Sequence, residues 1–220
     1  MLDTPQLRSY VADERLGESL QAVVYKGHPL NHPQQTLVLK VLKLLSNRSQ
    51  ESRHLRQKIE RLRVLHDVRA CTPEALASDS ESLIIVQPWF AGVPLDAWAQ
   101  GRPVSLTEFF TLACALADTL HAVHEAGITH GGVKPHNILV QPETLTLRLT
   151  DFITPMDIRD VSHFIYDPEF VRGTLAYTSP EQTGRINYRV DFPPTCIRWA
   201  LCCLNCSPGN CRSTPTTRWS

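Results

Sequence analysis

The sequence lacks net charge, a long apolar run and a recognisable leader segment. Lys plus Arg equal Asp plus Glu at 22 each, and a balanced chain does not create the basic field that attracts nucleic acids or anionic membranes. No run approaches the roughly 18 apolar residues of a membrane span. The first ten residues lack the basic and apolar regions of a signal peptide. We therefore expect a soluble, cytoplasmic chain that binds neither nucleic acid nor membrane.

What the chain does contain is enough apolar material for a core. Its 220 residues, 42% of them hydrophobic, suggest one domain or one domain and a fragment. Residues 10–16, 23–25, 37–42 and 83–86 are rich in β-forming side chains and are predicted strands. Between them, Leu55, Ile59, Leu62 and Leu65 recur at helical spacing. The first part of the chain should therefore be rich in strands and contain one helix.

The second part begins with the clearest helix signal. Ser105 and Glu108 form a capping-box pattern, and an apolar stripe follows until Gly127, so we predict a helix over residues 107–126. Two short strands are predicted around residues 138–140 and 145–149. The order of elements indicates an α+β fold with a β-rich N-terminal lobe and a helical C-terminal lobe.

Three motifs follow this helix at a characteristic spacing. His130-Gly-Gly-Val-Lys-Pro-His-Asn137 comes first, Asp151-Phe152 follows, and Gly173-Thr-Leu-Ala-Tyr-Thr-Ser-Pro-Glu181 comes last. Together they resemble the catalytic loop, the metal-binding segment and the end of the activation segment of Ser/Thr protein kinases. The continuation Gln182-Thr-Gly-Arg185 resembles the kinase-like modules at the N-terminus of large bacterial multidomain sensor proteins. The resemblance covers about residues 10–192.

The resemblance implies a bilobal protein-kinase-like fold, with a five-stranded N-lobe that contains one helix. It also implies ATP and Mg²⁺ as cofactors, and a protein as partner or substrate. It places residues 10–88 in the N-lobe, after an extension over residues 1–9, and residues 89–192 in a partial C-lobe. The residues with implied roles are Lys134 in catalysis; Gly17, Ser19, Val24, Lys40, Val86 and Trp89 in nucleotide binding; and Asn137 and Asp151 as Mg²⁺ ligands. Without the resemblance, Lys40 would be an ordinary solvated strand residue and Asp151 a turn residue.

Several positions depart from the family pattern. Gly132 stands where the family has the catalytic aspartate, and Ile153 stands where a glycine follows Asp-Phe. Lys58 aligns with the helix glutamate that should pair with the strand lysine, although Glu60 lies nearby. Because phosphate and metal contacts survive while the base is lost, we interpret the chain as a signalling domain with ATP-binding capacity and with kinase activity lost or strongly weakened. The alternatives are an interaction module without nucleotide and, third, a small-molecule phosphotransferase, whose His-Gly-Asp loop the pair His130-Gly131 resembles.

Some residues have a simpler structural interpretation. His130 is expected to pack the catalytic loop, not to carry a proton. Trp89, Phe109 and Phe110 are expected to be core aromatics.

The last segment, residues 193–220, does not continue the pattern. Only two of seven cysteines precede residue 195, and the other five are Cys196, Cys202, Cys203, Cys206 and Cys211. If the codons of this segment are read one base earlier, they can encode the helix sequence that kinases have at this place. We therefore predict that the segment is translated out of frame and forms a disordered tail. A zinc site at Cys203-x-x-Cys206 is the competing interpretation. A C-lobe truncated in this way should leave apolar surface exposed on the long helix.

Overall fold

The structure, a computed structural model, describes residues 6–7, 9–18, 22–42, 48–65, 69–78, 83–128, 130 and 132–153. Ser19, the motif at residues 173–185 and the predicted tail lie outside these residues. The strands are β1 (Gln6–Leu7), β2 (Tyr10–Glu18), β3 (Ala22–Pro29), β4 (Leu37–Leu42), β5 (Ala75–Ser78), β6 (Leu83–Pro88), β7 (Val93–Pro94), β8 (Ile138–Gln141) and β9 (Thr146–Leu149). The helices are α1 (Arg48–Leu62), α2 (Leu95–Ala99), α3 (Leu106–Glu125) and a 3₁₀ turn at Pro135–Asn137.

The N-terminal lobe is an antiparallel sheet in the order β1-β2-β3-β4-β6-β5 with α1 packed against it. The α+β architecture and the predicted strands in β2, β3, β4 and β6 are confirmed. The expectation of five strands is corrected to six among the described residues. Strand β5 has the sequence Ala-Leu-Ala-Ser, whose β propensity is low. It forms because its residues pair with the strongly apolar β6.

The two faces of this sheet have different neighbours. Leu42 and Ile85 pack with Leu55, Ile59 and Leu62 of α1 in the main core. Side chains alternate between the two faces along a strand, so the neighbours of Leu42 and Ile85 in their own strands point to the opposite, outer face. A second cluster forms there from Ala12, Leu37, Leu39, Ile84 and Val86. Lys40 has the same parity as Leu42 and therefore lies on the face of the main core.

Helix α3 confirms the sequence prediction at both ends. Ser105 accepts from the Glu108 backbone N–H, and the Glu108 carboxylate accepts from the Ser105 N–H at 2.8 Å, which completes the capping box. The helix ends at Glu125, and Gly127 follows with φ of 68°, the left-handed conformation that favours glycine. Leu112, Leu116, Leu120 and Val123 are buried in the main core.

One face of α3 is exposed and apolar. Leu106 is 73% and Phe110 is 58% exposed. The expectation that Phe110 is a core aromatic is therefore wrong: it lies on the outer side of the helix and contacts Phe109 edge to face at 5.2 Å. The exposed surface on α3 agrees with the sequence expectation.

The same helix has the length and composition of a membrane span. Its mean hydropathy is 1.2 over an 18-residue window, of which 28% is buried. Core helices pass the same test, and the buried leucines of α3 show that it contributes to the core.

The segment that precedes β5 in the N-terminal lobe forms hydrogen bonds and an ion pair with the C-terminal lobe. The Cys71 N–H donates to the Leu149 carbonyl at 2.8 Å, and the Leu149 N–H donates to the Arg69 carbonyl at 2.8 Å. The Arg69 guanidinium also contacts the Asp118 carboxylate of α3 at 3.2 Å. Strand β9, which leads directly into Asp151, is therefore anchored to the N-terminal lobe.

The cap of α3 predicts a pH effect on stability. Hydrogen bonds from Arg102, and then from the Ser105 N–H and hydroxyl, lower the pKa of Glu108 from 4.5 to about 2. A carboxyl whose pKa falls on folding stabilises the folded state above its unfolded pKa and loses that effect as pH falls through the folded pKa. We expect Glu108→Gln to lower the free energy of unfolding near neutral pH, with the deficit shrinking between about pH 4.5 and 2. Denaturant unfolding of both proteins across this range measures it, and a deficit independent of pH would contradict it.

Candidate functional site

The site is built where the N-terminal sheet meets the segment after β9. The Lys40 ammonium of β4 forms an ion pair with the Asp151 carboxylate and lies 3.5 Å from the Ile153 carbonyl. The two side chains are 17% and 29% exposed. Two residues 111 positions apart in sequence, both singled out from the motifs, are thus in direct contact.

Glu60 of α1, which lies near Lys58 in the sequence, is not the partner of Lys40. Glu60 is 62% exposed and pairs with Arg63 of the same turn at 3.2 Å. The charge of Lys40 is instead balanced by Asp151. The suggestion that Glu60 takes the place of the helix glutamate is therefore corrected.

Gly17 and Val24 lie in one row with Lys40. Gly17 is paired with Val24 across β2 and β3, and Val24 is paired with Lys40 across β3 and β4. Directly paired residues project to the same face of a sheet, so Val24 lies on the Lys40 face. A Cβ at Gly17 would meet no atom within 4 Å. The segment from Gly17 to Ala22 resembles the family's glycine-rich loop, with Ala22 at the position of the third glycine. Ala22 is 2% exposed and packs in the main core.

Val86 and Trp89 lie outside the row of Gly17, Val24 and Lys40: Val86 is on the opposite face of the sheet, and Trp89 comes after the end of β6. Val86 is paired with Leu39, belongs to the outer cluster, and its carbonyl accepts from the Glu74 N–H at 2.8 Å. Its side chain is therefore on the face opposite Lys40. Trp89 is the first residue after β6, and the Lys26 ammonium lies over its ring, 4.9 Å from the ring centroid.

The loop between α3 and β8 is organised around His130, which is 2% exposed. Its Nδ1 accepts from the Gly132 N–H at 3.2 Å and its Nε2 lies 2.8 Å from the Thr150 carbonyl. A carbonyl can only accept, so Nε2 is the ring nitrogen that donates to Thr150. Its ring contacts Phe152 at 4.5 Å. His130 is thus a structural residue of the loop.

Asn137 and Lys134 occupy the end of the same loop. The Asn137 amide donates to the Gly132 carbonyl at 2.8 Å, and its backbone carbonyl accepts from the Thr150 N–H at 2.9 Å. Asn137 is therefore fixed beside the residue that precedes Asp151. Lys134 immediately precedes the 3₁₀ turn and is partly buried.

Asp151 and the two residues after it differ in environment. Asp151 has φ of 65°, a left-handed conformation that aspartate tolerates better than most residues. Phe152 and Ile153 are 0% and 2% exposed and belong to the main core. The isoleucine at the family's glycine position thus contributes apolar packing.

Gln87 and Thr150 are two further residues of the site that no sequence motif indicated. The Gln87 amide lies on the Lys40 face and contacts the Thr150 hydroxyl at 3.3 Å. A polar side chain directly after four apolar residues in β6 was the available signal. Its partner could not be found from the sequence because Thr150 is 63 positions away.

The donors present fit a magnesium nucleotide. Asp151 and Asn137 offer carboxylate and amide oxygens, the hard ligands that Mg²⁺ takes together with phosphate and water. Among the described residues no group of three or more His, Cys, Asp or Glu side chains could hold a metal by itself. Cys203 and Cys206, the competing zinc ligands, lie outside those residues.

Comparison with known proteins shows the family and the fold of the chain. The family model of the protein kinase domain matches residues 10–206, which includes the first residues of the segment predicted to be out of frame. The chain is 26% identical over 196 residues to the serine/threonine-protein kinase ULK3 of Xenopus laevis, covering 86% of this chain and 40% of that protein. It is 28% identical over 187 residues to the serine/threonine-protein kinase PkaA of Streptomyces coelicolor, covering 78% and 34%. The chain thus spans two fifths or less of the length of these relatives.

Solved structures show the same fold. The PknI kinase domain of Mycobacterium tuberculosis superposes with a TM-score of 0.67 at 17% identity, covering 93% of this chain and 77% of that one. The structure of Rad53 residues 1–466 in complex with AMP-PNP gives 0.63 at 22% identity, covering 87% and 45%.

Proposed function

The chain belongs to the protein kinase domain family, and from this premise we propose that it binds ATP with Mg²⁺ while transferring phosphate to protein Ser or Thr only very weakly. The observation that carries the proposal is the meeting of Lys40 and Asp151 at the junction of the two lobes, combined with a glycine where a carboxylate would be needed in the loop. The residues proposed to bind the nucleotide are in place, and the position proposed for the base is Gly132.

Lys40 and Asp151 have complementary roles toward a magnesium nucleotide. The Lys40 ammonium is the group that would pair with the phosphates, and the Asp151 carboxylate with the Asn137 amide oxygen would hold the metal. Bound Mg²⁺ would neutralise phosphate charge. The ion pair that these residues form with each other keeps both charges compensated before the ligand arrives. Lys134 is proposed to contact the transferred phosphate.

The weak catalysis follows from Gly132. A general base contributes about 10²- to 10⁴-fold to a rate, and Gly132 offers only backbone groups, which are already bonded to His130 and Asn137. Phosphoryl transfer depends mainly on positioning and charge neutralisation, so some activity can remain. We propose a protein as partner or substrate, in keeping with the serine/threonine-protein kinases that the chain resembles. We also propose the cytoplasm as location.

A nucleotide titration tests the proposal. A fluorescent ATP analogue should bind the unmodified chain in the presence of Mg²⁺, and Lys40→Ala and Asp151→Asn should each weaken binding about tenfold to hundredfold, the range of a charged hydrogen bond. Asp13→Asn is the matched control because Asp13 is an exposed carboxylate paired with His28 at 2.9 Å, elsewhere on the sheet. It should leave affinity unchanged. Absence of binding, or binding indifferent to both site variants, would favour an interaction module that takes no nucleotide.

A further inference from the structure

Gln87 connects the N-terminal sheet to the residue before Asp151. It is paired with Val38, and Lys40 is two positions further along β4 on the same face. Gln87 and Lys40 are therefore diagonal neighbours on the sheet. Lys40 contacts Asp151 and Gln87 contacts Thr150 at 3.3 Å, so two neighbouring side chains of the sheet hold two consecutive residues of the other lobe.

Thr150 is fixed from three directions. Its N–H donates to the Asn137 carbonyl at 2.9 Å and its carbonyl accepts from His130 at 2.8 Å. Both of these partners belong to the loop of the C-terminal lobe. The hydroxyl contact with Gln87 is the one that comes from the sheet. Thr150 therefore joins the sheet, the loop and the Asp151 segment.

We propose that the hydrogen bond between Gln87 and Thr150 is a latch that positions Asp151 and Asn137 for the metal of a bound nucleotide. The proposal rests on the proposed nucleotide function. When phosphate groups pair with Lys40, they compete with Asp151 for its ammonium, which loosens the direct tie between sheet and segment. The Gln87–Thr150 bond lies one residue away and uses uncharged groups, so phosphate does not compete for it in the same way.

The latch is tested by removing each partner separately and together. Gln87→Met keeps the unbranched side chain without the amide, and Thr150→Val removes the hydroxyl while keeping the shape. We expect each to reduce the affinity gained from Mg²⁺, measured as the ratio of ATP-analogue affinities with Mg²⁺ and with a chelator, by about threefold to tenfold. The double variant should lose no more than either single variant, because both remove one bond. Thr150→Ser keeps the hydroxyl and should retain the unmodified ratio.

Two results would overturn the latch. If Gln87→Met still reduced the Mg²⁺ ratio by its full factor in the Thr150→Val background, Gln87 would act directly on the nucleotide. If neither single variant changed the Mg²⁺ ratio, the bond would have no positioning role. Should the unmodified chain bind no nucleotide, the proposed function fails, and the latch is then decided by amide hydrogen exchange over residues 147–153. Faster exchange in Gln87→Met supports the latch, and unchanged exchange contradicts it.

Discussion

Replacing Gly132 with aspartate should raise the rate of phosphoryl transfer to a Ser/Thr peptide by up to about 100-fold over the unmodified chain, which should be barely active. The backbone of Gly132 is already bonded through its N–H to His130 and through its carbonyl to Asn137. These bonds use backbone groups only, so the partners that hold the loop do not depend on a side chain at this position. Transfer of labelled phosphate from ATP to a peptide measures the rate.

Gly132→Asn is the matched control, because it adds a side chain of the same size without a base. It should leave the rate at the unmodified level. An unmodified chain that already turned over at about 1 s⁻¹ or faster, the range of ordinary kinases, would show that Gly132 does not stand at the position of the base. No gain from Gly132→Asp would mean that Ala22 in the glycine-rich loop and Lys58 in α1 suffice to prevent catalysis.

Phe152→Ala should destabilise the chain by about 3–5 kcal/mol, the usual cost of deleting a buried aromatic ring. Phe152 is fully buried in the core that unites α1, α3 and the sheet, and its ring contacts His130 at 4.5 Å. The cavity would therefore open directly beneath the loop that carries Gly132 and Asn137. Against a typical total stability of about 5–15 kcal/mol, the loss is large. Denaturant unfolding measures it.

Phe110→Ala removes the same ring from the surface of α3, where Phe110 is 58% exposed and contacts Phe109. It should cost about 1 kcal/mol or less. Equal losses for the two variants would contradict the assignment of Phe152 to the core and of Phe110 to the surface.

Much of the site could be found from the sequence because its residues lie in short, recognisable motifs. Lys40 lies in a strand whose apolar pattern is visible locally, and Asn137 and Asp151 follow the long helix at a fixed spacing. The contact between Lys40 and Asp151 was not predicted, because the resemblance implied only that one binds nucleotide and the other Mg²⁺. It arises because β4 and the segment after β9 are brought together by the main core, and no local pattern contains both.

The sequence did not predict which face of the sheet each residue of β6 occupies. Val86 and Gln87 are adjacent in β6, but the predicted strand over residues 83–86 ended one residue before Gln87. A shift of one residue exchanges the two faces, and the face is set by pairing with β4, which places Val86 in the outer cluster and Gln87 beside Lys40. Strand β5 was missed for a related reason, since its pairing with β6, and not its own propensity, makes it a strand.

The sequence by itself determined the elements whose signals are local: the capping box and length of α3, the apolar strands β4 and β6, and the loop that runs from His130 to Asn137. Tertiary structure alone decided which of these elements touch. The partner of Lys40 became Asp151, the partner of Gln87 became Thr150, and Phe110 came to lie outside while Phe152 lies inside. The physical reason is that helix caps and periodicity act over a few residues, whereas contacts across 63 or 111 positions depend on how the whole core packs.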